Sequence, residues 1–281
     1  MAVMIVFDFD KTILDCDSDN WVADGLGFTK SFEELTSTMP WNLAMDIVLG
    51  KMHSQGITIE DIADCLRKAP LIPHIASTIK TAHSLGCELR IVSDANTFFI
   101  ETILKHHDLL DCFSEINTNP SIIDNQGRLR IFPCHDLTSP NCISNLDSCP
   151  PNMCKGQIIE RIKANAEEGK KKIIYLGDGK GDYCPMLRLK KEYFVMPRKD
   201  YPVWELICCN PSKIKAKICE WSVGEELERT LLNLVRLINF FEDHKADFNN
   251  ADVVLSTALD CKFQLVALSP HKAFALPPVP L

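Results

Sequence analysis

The sequence predicts an α/β protein built around a parallel β-sheet. Three short apolar runs rich in β-branched residues, at residues 3–9, 89–92 and 173–176, have the composition of strands buried on both faces. Each run is followed at once by Asp, Ser or Gly. Helical patterns of apolar residues lie between the runs, and strands that alternate with helices are typical of βαβ units.

The segment after the first run predicts a separate helical unit. Residues 19–72 contain no convincing strand, and a structureless loop of that length is rare in a compact domain. We therefore expect this segment to form a mostly helical cap over the first strand-to-helix turn. Its aromatic and methionine residues would supply the apolar contacts.

Further helices are predicted around residues 75–82, 97–107 and 155–162, where apolar residues recur at helical spacing. Ser222 and Glu225 fit a capping box before a long amphipathic helix. The pattern then fades into a Pro-rich end, which we expect to be partly disordered. The expected organisation is a core of residues 1–18 and 73–243, a cap of residues 19–72 and a tail of residues 244–281.

The composition excludes several classes of function. The 281 residues carry 30 Lys and Arg against 38 Asp and Glu, a net charge of −8, so a nucleic-acid or anionic-membrane partner is disfavoured. No apolar run approaches the roughly 18 residues of a membrane span. The first strand begins too early to leave room for a signal peptide. We expect a cytoplasmic protein, and the sequence does not predict its oligomeric state.

The 13 cysteines are an unusually large and odd number. Most are scattered, and we interpret those as small buried thiols. Five metal-ligating side chains cluster within 21 residues: Cys134, His135, Cys142, Cys149 and Cys154. Their spacing lacks the CxxC pairs of common zinc ribbons, so ordinary loop thiols, a structural zinc site and a redox-sensitive pair all stay open.

Carboxylates follow the first and third runs. The first run ends in residues 8–12, DFDKT, where a turn could bring Asp8 and Asp10 together. Two such anions about 4 Å apart repel by roughly 4 kcal/mol at an effective dielectric of 20, so the pair needs a cation or a proton. The third run ends in residues 177–182, GDGKGD, which present Asp178 and Asp182. Oxygen ligands of this kind suit Mg²⁺; solvated acidic loops are the alternative.

Two other side chains could bind an anion. Ser93 follows the second run shortly before a predicted helix, where a hydroxyl either binds an anion or caps the helix. Lys155 lies at the predicted start of another helix. A lone Lys is usually a solvated surface residue, so its importance depends on the other motifs.

The order of these motifs resembles the haloacid dehalogenase superfamily of aspartyl phosphotransferases. The match can be narrowed to the branch of phosphoethanolamine and phosphocholine phosphatases, whose plant-type members have also been assigned to inorganic pyrophosphate and thiamine monophosphate. The quoted segments are residues 7–12, 17–21, 91–96, 149–156 and 176–185, and the resemblance covers about residues 3–220. It implies a Rossmann-like core with a helical cap.

The resemblance also implies a role for each motif residue. Asp8 would be the nucleophile that forms an aspartyl-phosphate, and Asp10 would be the general acid and base. Mg²⁺ would be held by Asp8, the backbone carbonyl of Asp10 and Asp178, with Asp182 supporting it. Ser93 and Lys155 would hold the phosphoryl oxygens, and Thr12 would orient the first turn.

Two further carboxylates indicate the substrate class. In the resembled family, residues at the positions of Asp19 and Asp94 are proposed to face an amine head group. The expected function is a Mg²⁺-dependent phosphomonoesterase for phosphoethanolamine, phosphocholine or similar small alcohol phosphates. Hydrolysis of pyrophosphate or thiamine monophosphate at the same site stays open. A helix cap at Asp19 and a structural hydrogen bond at Asp94 are the alternatives for the two residues.

Other functional classes fit less well. A sugar phosphomutase would gain nothing from Asp19 and Asp94. A two-component receiver is about half as long and has no cap-sized insertion. A non-catalytic relative would be expected to lose Asp8 or Asp10, and both are present.

Overall fold

A six-stranded parallel sheet forms the centre of the protein. The computed structural model describes residues 3–135, 149–165 and 171–243. The strands follow the spatial order β3-β2-β1-β6-β7-β8, and every pairing between neighbours is parallel. The predicted α/β class is therefore confirmed. The strands are β1 (Val3–Phe7), β2 (Glu88–Asn96), β3 (Phe113–Asn119), β6 (Lys172–Gly177), β7 (Phe194–Pro197) and β8 (Lys217–Ile218), and β4 (Ser121–Ile123) and β5 (Leu129–Ile131) form a separate hairpin.

The three predicted runs are β1, β2 and β6, which lie side by side in the middle of the sheet. Strand β2 is longer than predicted, because its pairing with β3 resumes after an irregularity and reaches Asn96 opposite Asn119. Strands β3, β7 and β8 were not predicted. The sequence SEINTN in β3 is polar, and β8 is two residues long, so neither has the apolar run on which the prediction depended.

Ten α-helices lie in the described residues. They are α1 (Ser18–Gly25), α2 (Thr29–Thr36), α3 (Trp41–Ser54), α4 (Ile59–Leu66), α5 (Ile75–Ser84), α6 (Thr97–His106), α7 (Lys155–Asn165), α8 (Tyr183–Leu187), α9 (Pro202–Cys209) and α10 (Gly224–Asp243). The first four follow β1, which confirms the expected mostly helical insertion. None of the helices in the described ranges has the length and hydropathy of a membrane span. The predicted tail, residues 244–281, lies outside the described residues, as does Cys142.

The inserted helices are attached to the sheet domain at two places. The outgoing and returning chains run side by side, with the Asp15 N–H donating to the Pro70 carbonyl at 2.8 Å and the Ile72 N–H to the Ile13 carbonyl at 2.9 Å. On the far side, the hairpin packs on α3 through Arg130, whose guanidinium binds Asp46 at 2.9 Å. Both attachments lie near the ends of β1 and β3, so they fix where the cap sits above the sheet.

The core has one apolar layer on each face of the sheet. Side chains of β1 alternate, so that Ile5 and Phe7 enter one layer and Met4 and Val6 the other. Each fully buried side chain of this size contributes roughly 1.5–3 kcal/mol relative to an exposed one. The strands are thus held from both sides, and the site at their ends rests on a rigid support.

Helix α10 begins differently from the prediction. The capping box was expected at Ser222 and Glu225, but the helix starts at Gly224, and the Ser222 N–H donates to the carboxylate of Glu226 at 2.9 Å. The start of the helix lies against the chain before α5. A Cβ atom on Gly224 would be 1.9 Å from the Pro73 carbonyl oxygen, which is far inside contact distance.

Replacement of Gly224 by Ala is therefore expected to destabilise the protein by about 1–3 kcal/mol, because backbone must move to make room. Helix propensity alone favours Ala over Gly, so a loss of stability in this variant would have to come from the steric contact. Urea unfolding would measure the effect. The neighbouring Val223→Ala change at a position 59% exposed is the control, and equal midpoints for the two variants would contradict the packing argument.

Candidate active site

The functional side chains meet where the order of the strands reverses. Strands β1, β2 and β3 extend to one side of the sheet and β6, β7 and β8 to the other, so the crevice beyond β1 and β6 is the usual ligand position in such sheets. Asp8 directly follows β1 and Asp178 directly follows β6. The Asp8 N–H donates to the Leu176 carbonyl at 2.9 Å, which continues the strand pairing and aligns the two ends.

A buried lysine lies between two of the carboxylates. The Nζ atom of Lys155 is 2.8 Å from Asp8 Oδ2 and 2.9 Å from Asp182 Oδ1. Lys155 is the first residue of α7, as predicted, and it is only 3% exposed. Burial lowers the pKa of Lys155, but Asp182, Asp8 and Asp94 offset this effect and raise the pKa well above its usual value. The ammonium therefore stays charged at neutral pH.

Asp182 organises the turn after β6. Its Oδ1 accepts a hydrogen bond from the Tyr175 hydroxyl at 2.7 Å in addition to the Lys155 contact. Its Oδ2 accepts from the N–H groups of Asp178 at 3.0 Å and Gly179 at 2.9 Å. Gly177 is required here, because a Cβ atom would lie 2.3 Å from the Asp182 carboxyl carbon. This close contact explains why the GDGKGD segment begins with Gly.

The same carboxylates could hold a metal ion. Oxygen atoms of Asp8, Asp178 and Asp182 lie within 4.8 Å of one another. Burial, and then repulsion by Asp182, raises the pKa of Asp178 to about 7, and the same causes raise the pKa of Asp8 well above its usual range. Three crowded carboxylates with hard oxygen donors fit a divalent cation. Asp182 already accepts four hydrogen bonds, which leaves Asp8 and Asp178 better placed as direct ligands.

Asp10 faces the inserted helices instead of this cluster. Its two carboxylate oxygens accept hydrogen bonds from the N–H of Ser18 at 3.0 Å and the hydroxyl of Ser18 at 3.1 Å. Burial, and then repulsion by Asp17 and Asp19, raises the pKa of Asp10 well above its usual range. Asp10 therefore connects the turn after β1 to the first helix of the cap. This orientation leaves the predicted metal ligand of Asp10 unaffected, because that ligand is its backbone carbonyl and not its carboxylate.

A cavity of about 220 Å³ opens beside Asp10, between the sheet and the cap. Four of its eight lining residues are aspartates, and none is Lys or Arg. The lining residues are Asp10, Asp17, Asp19, Trp41, Asn42, Asp94, Pro150 and Asn152. The cavity wall formed by described residues is therefore strongly acidic.

Two aspartates of the wall have an oxygen that no described group satisfies. Oδ1 of Asp19 and Oδ1 of Asp94 are buried and lack a hydrogen-bond partner among the described residues. The other oxygen of Asp19 accepts from the Trp41 indole N–H at 2.7 Å. Burial, and then repulsion by Asp17, raises the pKa of Asp19 to about 8. Burial also raises the pKa of Asp94 to about 6, although Lys155 opposes the change.

The two predicted hydroxyl residues, Thr12 and Ser93, are buried near the ends of β1 and β2. Thr12 donates to Asp178 Oδ1 at 3.4 Å, so it joins the turn after β1 to the turn after β6. Ser93 lies inside β2, and its Oγ accepts from the Ala95 N–H at 3.3 Å. The helix predicted from residue 97 begins at Thr97, with Asn96 as its cap. Ser93 is buried beside the crevice without being the first residue of a helix.

Comparison with known proteins identifies the family. A family model described as Putative Phosphatase matches residues 3–235. The chain belongs to this family, a branch of the haloacid dehalogenase superfamily. It is therefore a phosphatase that acts on small-molecule phosphates.

Two plant proteins are similar over most of their length. Inorganic pyrophosphatase 1 of Arabidopsis thaliana is 50% identical over 274 residues, which cover 97% of this chain and 91% of that protein. The thiamine phosphate phosphatase-like protein of Arabidopsis thaliana is 51% identical over 243 residues, 86% of this chain and 98% of that protein. A solved structure titled a phospho-aspartyl intermediate analogue of phosphoserine phosphatase has a TM-score of 0.53 at 15% identity, covering 81% of this chain and 98% of that one. This last likeness shows the shared fold.

The structure of this phosphatase adds a residue that lies outside the sequence motifs. Arg198 directly follows β7 and is buried, and its guanidinium donates to the Lys11 carbonyl at 2.7 Å and to Asp15 at 2.9 Å. The guanidinium also lies 4.3 Å from the Tyr201 ring centre. Lys11 has a φ of 53°, so Arg198 holds the DFDKT turn in a left-handed conformation that is unfavourable for Lys. The signal in the sequence that could have found Arg198 is the short apolar run FVMP, which forms β7 and ends directly before it.

Arg198 is expected to position the turn that carries Asp8 and Asp10. Lysine has one ammonium and cannot reproduce the two-pronged contact or the stacking. Arg198→Lys should therefore lower kcat for phosphate release roughly ten- to a hundred-fold, with a smaller change in KM. The control is Asp15→Asn, which removes a partly exposed ion pair but keeps the contact with Lys11, and exposed pairs contribute only about 0–1 kcal/mol. An equal kcat for Arg198→Lys and the wild type would contradict the positioning role.

Proposed function

We propose that this phosphatase is a Mg²⁺-dependent phosphomonoesterase that transfers the phosphoryl group to Asp8 and prefers small alcohol phosphates with a positively charged group, such as phosphoethanolamine and phosphocholine. The acidic cavity beside Asp10 carries the substrate part of the proposal. The arrangement of Asp8, Lys155 and Asp178 carries the catalytic part.

The surroundings of Asp8 support a role as the nucleophile. Its Oδ1 accepts from the Phe9 N–H at 2.7 Å and its Oδ2 contacts Lys155, so the carboxylate is held in one orientation at the end of β1. Lys155 offsets the charge that would otherwise repel an anionic phosphate, and such electrostatic positioning accounts for most catalysis of phosphoryl transfer. Mg²⁺ held by Asp8, Asp178 and the Asp10 carbonyl would neutralise further phosphoryl charge. Ser93 would add a hydroxyl donor.

The position of Asp10 supports a role as the general acid and base. It is two residues from Asp8 and also lines the space where the leaving group would lie. From there its carboxyl group would protonate the departing alkoxide and then accept a proton from the attacking water. Its hydrogen bonds to Ser18 orient the carboxyl group and couple it to the cap.

Substitution Asp8→Asn should reduce phosphate release by more than roughly a thousand-fold, because the amide cannot form the covalent intermediate. The native fold should remain, since Asp182 still pairs with Lys155 in this variant. Steady-state assays with Mg²⁺, together with thermal unfolding, would measure both effects. Omission of Mg²⁺ from the assay should abolish wild-type activity, and added Mg²⁺ should restore it. Wild-type activity in Asp8→Asn would contradict the assignment of the nucleophile.

The cavity favours a cationic head group for three reasons. Four aspartates line it without a basic neighbour among the lining residues. Because burial and neighbouring carboxylates raise the pKa values of Asp10, Asp19 and Asp94, a cation bound beside them would favour their ionised forms, and an anionic head group would not. The unpartnered oxygens of Asp19 and Asp94 could accept N–H donors or face a quaternary ammonium. Trp41 supplies an aromatic ring at the same wall, and ammonium groups bind the faces of such rings.

Pyrophosphate and thiamine monophosphate are the alternative substrates. The two similar Arabidopsis proteins are named an inorganic pyrophosphatase and a thiamine phosphate phosphatase-like protein. Thiamine monophosphate carries a cationic ring and fits the same charge argument. Pyrophosphate carries no positive group, so the acidic wall would oppose it unless a cation accompanied it.

The head-group proposal predicts that kcat/KM is higher for phosphoethanolamine, phosphocholine or thiamine monophosphate than for pyrophosphate. Asp19→Asn should lower kcat/KM for the cationic esters roughly ten- to a hundred-fold, because hydrogen bonds to charged groups contribute about 1.5–3 kcal/mol. The amide can still accept from the indole of Trp41. Pyrophosphate hydrolysis should change little or improve.

Asp24→Asn is the matched control, since Asp24 is exposed on the same helix α1 and the chemical change is the same. A preference for pyrophosphate together with equal behaviour of Asp19→Asn and Asp24→Asn would overturn the head-group proposal. The role of Asp8 would be unaffected by that result.

A further inference from the structure

Three cysteine sulfurs lie close together next to Lys155. Cys154 is the residue before Lys155, Cys149 lies five residues earlier, and Cys184 lies in α8, two residues after Asp182. The Sγ atoms of Cys149 and Cys154 are 4.0 Å apart, and those of Cys154 and Cys184 are 3.8 Å apart. All three sulfurs lie within 4.8 Å of one another.

This group differs from the one considered in the sequence. Of the five side chains clustered there, the structure brings Cys149 and Cys154 together and adds Cys184, which is 30 residues further along the chain. Cys134 and His135 are described but are not part of the group. Sequence spacing could not find Cys184, because only the packing of α7 on α8 brings it to Cys154.

The distances match a metal site better than a disulfide. Zinc bound tetrahedrally by thiolates at about 2.3 Å places neighbouring sulfurs about 3.8 Å apart. A disulfide requires a sulfur separation of about 2.0 Å and joins only two cysteines. Here three sulfurs lie within 4.8 Å of one another, and Cys154 and Cys184 are fully buried.

A glycine makes this convergence possible. A Cβ atom on Gly156 would lie 2.5 Å from the Cys184 sulfur, so any other residue at this position would push Cys184 away from Cys154. The first turn of α7 is thus shaped around the sulfur. This contact is independent of the distances among the three thiols.

We propose that Cys149, Cys154 and Cys184 bind one Zn²⁺ ion as thiolates, with a fourth donor completing the tetrahedron. On binding, the three thiols lose their protons to solvent and three Zn–S bonds form, without oxidation or reduction. Soft thiolates select zinc, whereas the carboxylates of Asp8 and Asp178 select a hard cation such as Mg²⁺. The two adjacent sites would therefore hold different metals.

The zinc site would fix the geometry of the phosphatase centre. Cys154 is bonded to Lys155 through one peptide bond, and Cys184 is two residues from Asp182. An ion joining these cysteines would hold the start of α7 against α8 and so maintain the Lys155–Asp182 contact of 2.9 Å. Zinc here has a structural role and does not contact the substrate.

The test uses the full-length protein purified under reducing conditions without chelators. Metal analysis should find about one zinc per chain, as expected for one structural site. After exchange of zinc for Co²⁺, the protein should show thiolate-to-cobalt charge-transfer absorption in the near ultraviolet and the strong visible bands of tetrahedral cobalt. Carboxylate sites cannot give the charge-transfer absorption, so this readout is separate from the Mg²⁺ site and from activity.

Two variants make the assignment specific. Cys149→Ser changes the partly exposed ligand, which is the one least needed for folding. It should lower the charge-transfer absorption per bound cobalt by the share of one thiolate, or abolish cobalt binding at this site. Cys208→Ser changes an exposed thiol on α9 and should leave the spectrum unchanged. Cobalt-treated wild-type protein with reduced thiols and no charge-transfer absorption would overturn the proposal. So would a disulfide between Cys154 and Cys184 in the protein as isolated, found by mass spectrometry without reduction.

Discussion

The buried ammonium of Lys155, held between Asp8 and Asp182, is the contact on which the rest of the site depends. An unpaired charge at such a position would cost several kcal/mol, and removing one partner of a buried pair costs about 3–5 kcal/mol. The contact joins three parts of the chain, namely the end of β1, the turn after β6 and the start of α7. It thus fixes Asp8 relative to Asp178, although 170 residues separate them in the sequence.

Charge is distributed unevenly across the site, and this asymmetry would orient a substrate. At the sheet edge, Lys155 offsets part of the negative charge of Asp8, Asp178 and Asp182, and a metal ion would offset more. On the cap side, Asp19 and Asp94 face the cavity without a basic side chain among its lining residues. A molecule with an anionic phosphate at one end and a cation at the other would complement both regions. Two hydrogen bonds connect the cap to these charged groups: the Trp41 indole donates to Asp19, and the Ser18 hydroxyl donates to Asp10.

Much of the fold and the proximity of Asp8 to Asp178 could be predicted, because the signals are local. Apolar runs mark β1, β2 and β6, and Asp8 and Asp178 follow those runs directly. Residues that reach the site only through packing could not be predicted. Arg198 follows β7, a strand of only four residues, and Tyr175 reaches Asp182 from within β6. Cys184 contacts Cys154 only because α7 packs on α8. Glu226 replaced the predicted Glu225 at the start of α10, since helix ends depend on tertiary contacts.

Direct detection of a phosphorylated Asp8 tests the central claim best. Wild-type protein would be mixed with saturating phosphoethanolamine and Mg²⁺, quenched in acid during turnover and treated with borohydride, which reduces an acyl phosphate to an alcohol. Peptide mass spectrometry should then find Asp8 converted to homoserine, and Asp10 unchanged. Modification at another residue, or unmodified Asp8 at every quench time while phosphate is released, would contradict phosphoryl transfer through Asp8.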